Sequence, residues 1–337
     1  MRRIFGSLLI VFAMVFATLT GNPAQATAAS PKAAAQSAET AVFKPLRPAR
    51  LLDTRSGLGV ARGPVKAGSS TPLRVTGRSG VPATGVAAVV LNVTVAAPAA
   101  GGFVTVWPRG TSRPTASNLN FVPRQNVANQ VIVKVGTSGL VDLFSSAGTQ
   151  MFIDISGYYP TGSGYTPLVP ARLLDTRRAT SHPVAKSTTT VKVTGVGGVP
   201  STGVSAVVVN VTAIPRAGSG WLNLFPAGVT RPNASIVNYA PRQATAGMGI
   251  AKVGANGQVQ VYSSQAVDLL VDVAGWVPAK SGYSAMTPMR VADTRNGTGG
   301  VAVGRVKSGG VLSLPIASGG VVSAGRVSAV EINVTAT

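Results

Sequence analysis

The sequence repeats itself with a period of about 118 residues, and this repeat limits the folds that the chain can adopt. The segment Pro-Ala-Arg-Leu-Leu-Asp-Thr-Arg occupies positions 48–55 and returns at 170–177, and a variant of it occupies 288–295. A chain of this kind is expected to consist of copies of one structural unit, and each complete copy is large enough to bury a core of its own.

Three further motifs keep the same register. An Asn-Val-Thr segment occurs in all three copies, at 92–94, 210–212 and 333–335. An Arg-Pro-x-Ala-Ser segment and a closing Asp-x-x-Gly-aromatic segment occur in the first two copies only, at 113–117, 231–235, 154–158 and 272–276. We therefore predict a complete module at 43–160, a second at 165–278 and a truncated third at 283–337, and we expect the chain to be a fragment.

Composition favours short strands over long helices. Hydrophobic residues make up 45% of the chain, yet aromatic residues make up only 5%, and there are 40 Gly and 23 Pro. Eight strand-like runs separated by Gly- and Pro-containing turns fall in the first module, near 49–55, 70–76, 86–95, 102–108, 116–121, 127–135, 140–145 and 150–158. This pattern predicts an all-β protein of tandem antiparallel β-sandwich modules, jelly-roll-like by strand count, with closed β-barrel modules as the alternative.

The first 26 residues have the features of a secretory signal peptide. Two arginines precede an apolar run at 4–19, and a small-residue cleavage site ends at Ala26. An uncleaved membrane anchor is the alternative, and the small-residue site argues against it. Residues 27–42 are Ala-rich and polar, which predicts a disordered spacer. We expect a secreted protein, extracellular or associated with the cell wall, with no membrane partner after cleavage.

The chain is strongly basic, with 30 Lys and Arg against nine acidic residues and a net charge of +21. Such an excess favours polyanionic partners, although solubility alone would also account for it. The basic residues are scattered and lack both a dense cationic run and interleaved aromatic residues, so we expect no specific nucleic-acid partner.

Few residues could carry out catalysis or bind a metal. There is no cysteine, and His182 is the only histidine, which we interpret as a solvated turn residue. Five of the nine acidic residues recur at equivalent positions: Asp53, Asp154, Asp175, Asp272 and Asp293. Paired carboxylates could form a glycosidase site or contribute to a calcium site, but arginines flank Asp53 and favour structural pairing. We predict no catalytic residue, metal or cofactor, and no enzymatic activity.

One strand of each module could bind a ligand. Residues 102–108 and 220–226 alternate so that aromatic and polar side chains share one face. The candidates are Phe103, Thr105 and Trp107 in the first module and Trp221, Asn223 and Phe225 in the second. If exposed, this face could stack against sugar rings. In the alternative, which we favour, the aromatic residues fill the sandwich interior and the aliphatic residues face outward or against a neighbouring module.

Basic residues also recur between modules. Arg113 corresponds to Arg231, and Arg124 corresponds to Arg242. Spaced one module apart, they could engage a repetitive anionic polymer by avidity, and isolated surface charges would give the same pattern. The amides of the three Asn-Val-Thr segments are expected to hydrogen-bond to adjacent loop backbone rather than to accept glycans. Ile236 and Gly247 replace Asn118 and Asn129 in the second copy, so a site that needs those amides is doubtful there.

Together, the motifs Pro-Ala-Arg-Leu-Leu-Asp-Thr-Arg, Asn-Val-Thr, Arg-Pro-Thr-Ala-Ser-Asn-Leu-Asn-Phe and Asp-x-x-Gly-Tyr-Tyr resemble a repeat of exported actinobacterial proteins. The resemblance covers nearly the whole chain after residue 26. It implies a cell-envelope context, sometimes beside peptidoglycan amidases or other wall enzymes, and does not imply a particular chemistry.

These features favour a secreted, non-catalytic repeat protein that binds or spaces cell-envelope material, with cell-wall polysaccharide or an anionic wall polymer as its partner. Two alternatives remain. The modules could target a wall-active enzyme whose catalytic domain lies beyond Thr337, or they could form a structural stalk or surface-layer component. We expect the half module at 283–337 to be unstable alone, because an incomplete sandwich leaves strand edges open.

Overall fold

The structure is a computed structural model that describes residues 43–316, 327 and 329–336. The predicted signal peptide and spacer lie outside these residues. In the described part of the chain, no helix is both long and apolar enough to cross a membrane.

Residues 44–160 form an antiparallel sandwich, called the first sandwich below. Its strands are β1 Lys44–Asp53, β2 Ser69–Arg74, β3 Val86–Ala96, β4 Gly102–Pro108, β5 Leu119–Phe121, β6 Val127–Lys134, β7 Leu140–Ser145 and β8 Gln150–Pro160. One sheet has the order β1-β8-β3-β6 and the other has the order β2-β7-β4-β5. A short 3-10 turn, Thr137–Gly139, precedes β7.

Residues 166–278 repeat this arrangement as the second sandwich. Its strands are β9 Thr166–Asp175, β10 Ser187–Lys192, β11 Val204–Pro215, β12 Gly220–Pro226, β13 Val237–Tyr239, β14 Thr245–Lys252, β15 Gln258–Ser263 and β16 Val267–Pro278. Its sheets run β9-β16-β11-β14 and β10-β15-β12-β13. Two 3-10 turns, Thr176–Arg178 and Ala255–Gly257, complete the set.

Both sandwiches have jelly-roll strand order, in which each sheet alternates strands from the two halves of the unit. The predicted β-sandwich is confirmed, and none of the four sheets closes into a barrel. Each of the eight predicted strand-like runs of the first repeat overlaps a strand. The fifth is shorter than predicted, because residues 116–118 belong to a loop and only Leu119–Phe121 pair with β4.

Alternation along the central strands separates an inner face from an outer face. In β11, Val207, Val209 and Val211 point into the core of the second sandwich. Their neighbour Val208, on the opposite face, packs into the apolar cluster of the first sandwich instead. The two sandwiches therefore share an apolar contact, and the outer face of one central sheet forms part of it.

The glycine of the Asp-x-x-Gly motif makes room for an aromatic ring. A Cβ atom at Gly275 would lie 2.2 Å from the hydroxyl of Tyr165, and one at Gly157 would lie equally close to the ring of Phe43. A larger residue would displace the ring. In this motif the aspartate therefore supplies a polar side chain, and the glycine three residues later leaves space for an aromatic ring.

The C-terminal segment, meaning the described residues from 283 onward, contains no strand within 283–316 or 329–336. Asp293 nevertheless forms the same turn as Asp53 of the first copy, with a bridge to Thr298 that matches the one between Asp53 and Leu58. The local turn chemistry of the repeat therefore forms without the sheets.

Candidate functional site

Three repeated polar residues lie side by side on the outer face of the second sandwich. Arg172 on β9 and Asn210 on β11 both pair in register with Asp272 on the strand between them, β16. They come from three different sequence motifs that are far apart in the chain. We call Arg172, Asp272 and Asn210 the second trio, and the equivalent Arg50, Asp154 and Asn92 the first trio.

The second trio holds a loop of the first sandwich. Arg172 pairs with Asp272 through Nε–Oδ1 at 2.6 Å and Nη2–Oδ2 at 3.1 Å, and its Nη2 also donates to the carbonyl of Thr115 at 3.2 Å. Asn210 donates through Nδ2 to the carbonyl of Ser117 at 2.8 Å. Thr115 and Ser117 belong to the Arg-Pro-x-Ala-Ser segment, so all four repeated motifs meet at one joint between the sandwiches.

Two asparagines of the first sandwich strengthen this joint. Asn118 accepts a bond from the backbone nitrogen of Val106 at 2.7 Å, which fixes the end of the loop. Asn129 donates to the carbonyl of Asn118 at 2.6 Å and to Oδ1 of Asn210 at 3.1 Å. The backbone nitrogen of Met248 in the second sandwich donates to Asn129 Oδ1 at 3.4 Å. Of the two amides that the second copy lacks, Asn129 therefore bonds across the joint, and Asn118 holds the loop that the joint binds.

The joint recurs between the second sandwich and the C-terminal segment. Arg290 donates through Nε to the carbonyl of Asn233 at 3.3 Å, and Asn333 donates to the carbonyl of Ser235. Here Ile236 and Gly247 stand in place of the two asparagines, and the backbone nitrogen of Ile250 donates to Glu331. The prediction that Asn-Val-Thr amides bind loop backbone is confirmed for Asn210 and Asn333, but the loop belongs to the preceding unit.

The carboxylates of the repeat differ in their environments. Hydrogen bonds from Arg55, helped by Arg50, lower the pKa of Asp53, and Arg177 lowers the pKa of Asp175 to about 2. Burial raises the pKa of Asp272, and the guanidinium of Arg172 opposes that rise. The predicted pairing of Asp53 with its flanking arginines is confirmed by bonds of 2.9–3.2 Å.

The proposed aromatic face lies mostly beneath the Arg-Pro-x-Ala-Ser loop of its own sandwich. Thr105 donates to the carbonyl of Ala116 at 2.9 Å, and Trp107 donates to the carbonyl of Thr111 at 3.1 Å. In the second sandwich Asn223 donates to the carbonyl of Pro232 at 2.8 Å. Four of the six ligand-binding candidates on these two strands are buried: Thr105, Trp107, Asn223 and Phe225. The loop covers them, so a sugar ring has no access to them in this conformation.

The favoured prediction for these strands, that the aromatic residues fill the sandwich interior, is wrong. Val104 and Val106 are fully buried in the core cluster, so the aliphatic residues face the interior of the sandwich. The aromatic residues lie on the other face, where the loop rather than solvent covers most of them. Strand alternation separates the two faces but does not show which one a long loop covers.

The remaining two candidates take part in aromatic clusters with arginine. Phe103 is exposed and lies 5.7 Å from Phe144, and the guanidinium of Arg113 lies 3.6 Å from the Phe144 ring centroid. We call these three residues the first aromatic cluster. They bring a flat apolar surface and a cation to the same exposed position on the sheet.

The second sandwich has the equivalent set, called the second aromatic cluster. Trp221 lies 5.1 Å from Tyr262, and the guanidinium of Arg231 lies 4.0 Å from the Tyr262 centroid and 5.3 Å from the Trp221 centroid. Arg231 and its counterpart in the first sandwich therefore lie against aromatic rings instead of projecting freely.

Arg124 and Arg242, the other predicted basic pair, lie apart from these clusters. Both are exposed and both have a left-handed backbone, with φ of 62° and 61°. Arg124 donates its backbone nitrogen to the carbonyl of Pro98 at 2.8 Å, so the residue forms a tight turn. Their side chains are available as isolated surface charges.

His182 is not a solvated turn residue. Its Nδ1 lies 2.6 Å from Oδ1 of Asp268, and Nε of Arg216 lies 3.1 Å from the other oxygen of that carboxylate. The equivalent of Asp268 in the first sandwich is Gln150, so this ion cluster is specific to the second sandwich. Among the described residues, no group of three or more His, Cys, Asp or Glu side chains could hold a metal ion.

No protein-family model matches the chain, and no curated protein sequence matches it. Solved structures resemble it only distantly. A structure from Sulfolobus turreted icosahedral virus covers 70% of this chain and 90% of its own, at 8% identity and a TM-score of 0.28. The tandem CBM22-1–CBM22-2 domain of Paenibacillus barcinonensis Xyn10C covers 69% and 98%, at 13% identity and a TM-score of 0.20. The PBSX exported protein XepA covers 70% and 94%, at 9% identity and a TM-score of 0.22.

Proposed function

We propose that this chain is a secreted, non-catalytic scaffold that spaces and binds cell-envelope material, with wall polysaccharide or an anionic wall polymer as its partner. The observation that carries the proposal is that the four motifs of the repeat meet at the joint between sandwiches. Their polar residues connect one unit to the next. A repeat of this kind is suited to holding surface sites at fixed intervals.

The state of the carboxylates supports the non-catalytic part. A glycosidase needs one carboxyl group with a raised pKa beside the scissile bond and a second carboxylate across it. Arginine pairing lowers the pKa of Asp53 and Asp175, which makes both poor general acids. Asp272 has a raised pKa, but its side chain is only 2% exposed beneath a loop. A substrate would have to displace the neighbouring sandwich to reach it.

The aromatic clusters support the binding part. Each presents a ring that is at least partly exposed, Phe103 or Trp221, with a neighbouring arginine. Rings stack on the apolar faces of sugars, and guanidinium groups bind carboxylates and phosphates. Two such clusters on adjoining units could engage a repetitive polymer together, and the net charge of +21 would add attraction over a longer range.

Sedimentation with purified cell walls tests the binding part. We expect the chain to be retained at low salt and released as the salt concentration rises, because screening weakens the charged contacts. Phe103→Ala combined with Trp221→Ala should weaken retention about tenfold, the effect of losing about 1.4 kcal/mol of contact. Failure of the parent chain to bind at low salt would rule out the binding part.

A charge-matched pair separates the aromatic clusters from general electrostatics. Arg113→Ala with Arg231→Ala removes two positive charges from the clusters. Arg305→Ala with Lys307→Ala removes two exposed charges elsewhere. The cluster pair should weaken retention more than the control pair. Equal weakening would indicate diffuse attraction to the wall, in which the clusters have no special part.

A further inference from the structure

The two central sheets carry the same trio on their outer faces, but their surroundings differ. The second trio binds residues 115–117 of the first sandwich. The first trio has the same register, with Arg50 and Asn92 both paired to Asp154 on the strand between them. The first sandwich is therefore built to receive a loop in the way that the second sandwich does.

Exposure shows how much of this acceptor is uncovered. The side chain of Arg50 is 38% exposed and that of Arg172 is 16% exposed. Asp154 is 26% exposed and Asp272 is 2% exposed. Asn92 is half-buried, whereas Asn210 is buried. All three positions differ in the same direction, as expected if a loop covers one trio and not the other.

The first trio is already in the binding geometry. Arg50 meets Asp154 in a two-pronged pair, Nε–Oδ1 at 2.8 Å and Nη2–Oδ2 at 3.1 Å, close to the pair in the second trio. Its Nη1 also reaches Asp53 at 3.2 Å, which holds the guanidinium in place. An acceptor fixed before contact loses little side-chain freedom on binding.

The C-terminal segment lies beside the first sandwich as well as the second. Tyr283 and Ala285 pack against the apolar cluster that the two sandwiches share, which includes Tyr159 of the first repeat and Tyr165 of the second. Burial, followed by the charges of Glu331 and Tyr159, raises the pKa of Tyr283, in keeping with a close approach between the segment and the first sandwich. The path of the chain thus turns back toward its first unit.

We propose that the outer face of sheet β1-β8-β3-β6 is a docking surface for the Arg-Pro-x-Ala-Ser loop of one more complete module of this repeat, so that three complete modules in a row close a ring. The two such loops in this sequence are already held, one by the second sandwich and one by the C-terminal segment. A second copy of the chain would bring only loops that are held in the same way. A third module would supply an unoccupied loop and stand beside the surface that lacks one.

A ring also follows from the type of contact. Each joint connects the outer face of one unit to a loop of the unit before it, which is a head-to-tail interface. Repeated head-to-tail contacts either close into a ring or continue as an open helix. The contact of Tyr283 with the cluster around Tyr159 favours closure after three units.

Completing the third module provides the test. A copy of residues 215–278 attached after Thr337 supplies the missing half in the register of the repeat. Since the chain has no cysteine, a single Ser156→Cys change on the outer face of the first sandwich gives one thiol for labelling. The matched control is Ala274→Cys, at the equivalent position buried in the existing joint.

We expect the thiol at position 156 to react readily in the 337-residue chain and at least tenfold more slowly in the completed chain. The thiol at position 274 should react slowly in both. Arg50→Ala with Asn92→Ala should restore fast labelling at position 156 in the completed chain. A second completed chain carries a copy of residues 97–160 after Thr337 instead. It provides an independent test in case the first extension folds poorly. If neither completed chain protects position 156, the proposal is wrong.

Discussion

The first and second sandwiches have the same strand order and the same Arg-Asp-Asn trio, but only the second trio is covered by a neighbouring loop. In the first sandwich the Arg50–Asp154 pair is a partly exposed ion pair, the kind that adds little to stability. In the second, Arg172 and Asp272 are largely removed from water and depend on each other. Identical residues thus have different energetic roles according to what covers them.

The largest difference is expected from removing the trio carboxylate. Asp272→Ala leaves the guanidinium of Arg172 buried beside a loop carbonyl with one partner fewer, and breaking a buried ion pair in this way costs about 3–5 kcal/mol. Asp154→Ala breaks the exposed counterpart and should cost at most about 1 kcal/mol. Urea unfolding of both variants, followed by circular dichroism, measures the difference. Equal losses of unfolding free energy in the two variants would show that the joint does not strengthen the Arg172–Asp272 pair.

The asparagine of the trio should give the next largest difference. Asn210→Ala removes the donor to Ser117 and leaves a buried carbonyl unsatisfied, which costs about 1–3 kcal/mol. Asn92→Ala should change stability by at most about 0.5 kcal/mol, because its amide lies on the open face. A double-mutant cycle of Asn210→Ala with Asn129→Ala measures the coupling across the joint. Strict additivity would contradict the 3.1 Å contact between the two amides.

Much of the fold could be predicted from the sequence, because the signals for strands and turns come from residues that are close together in the chain. Alternation in 86–95 and the turns around it depend on neighbouring residues, and β3 is found at Val86–Ala96. The local pairing of Asp53 with Arg55 is likewise two residues apart. Predictions of structure and pairing are confirmed where the interacting residues lie within a few positions of each other.

The joint could not be predicted in the same way, because its partners are distant in the chain. Ser117 and Asn210 are separated by 93 residues, and repeat periodicity alone does not show which unit supplies the loop. The prediction of which strand face is interior was wrong for a similar reason. The loop over Trp107 is irregular and has no periodic pattern that would show which face it covers. The contact of His182 with Asp268 could not be predicted either, because 86 residues separate the two side chains and the first copy has no equivalent pair to compare.

Acid should weaken the second sandwich through the His182 cluster, which has no equivalent in the first sandwich. Burial opposes ionisation of Asp268, but hydrogen bonds from Arg216 and His182 outweigh it and lower the pKa of that carboxyl. The fold therefore favours the ionised form. Its contribution is present above the unfolded pKa of about 3.9 and is lost as the pH falls through the lower folded value.

Asp268→Asn should thus cost on the order of 1 kcal/mol at pH 6 and much less at pH 2, as unfolding in urea would show. Gln150→Ala is the control in the first sandwich, because the glutamine at the equivalent position does not titrate. Its effect should be the same at both pH values. A loss from Asp268→Asn that does not change with pH would place the acid sensitivity elsewhere in the chain.

The smallest difference is expected between the two aromatic clusters. Arg231 lies near two rings, including the indole of Trp221, whereas the first-cluster arginine, Arg113, lies over the single ring of Phe144. A cation over an exposed aromatic face contributes about 0.5–1 kcal/mol, and indole is the strongest partner. Arg231→Ala should therefore destabilise the chain by up to about 1 kcal/mol, and Arg113→Ala by somewhat less. Arg231→Lys keeps the charge but loses planar stacking, so it should recover only part of the loss. Full recovery with lysine would mean that charge alone acts at this position, and the clusters would then differ in ring type without differing in energy.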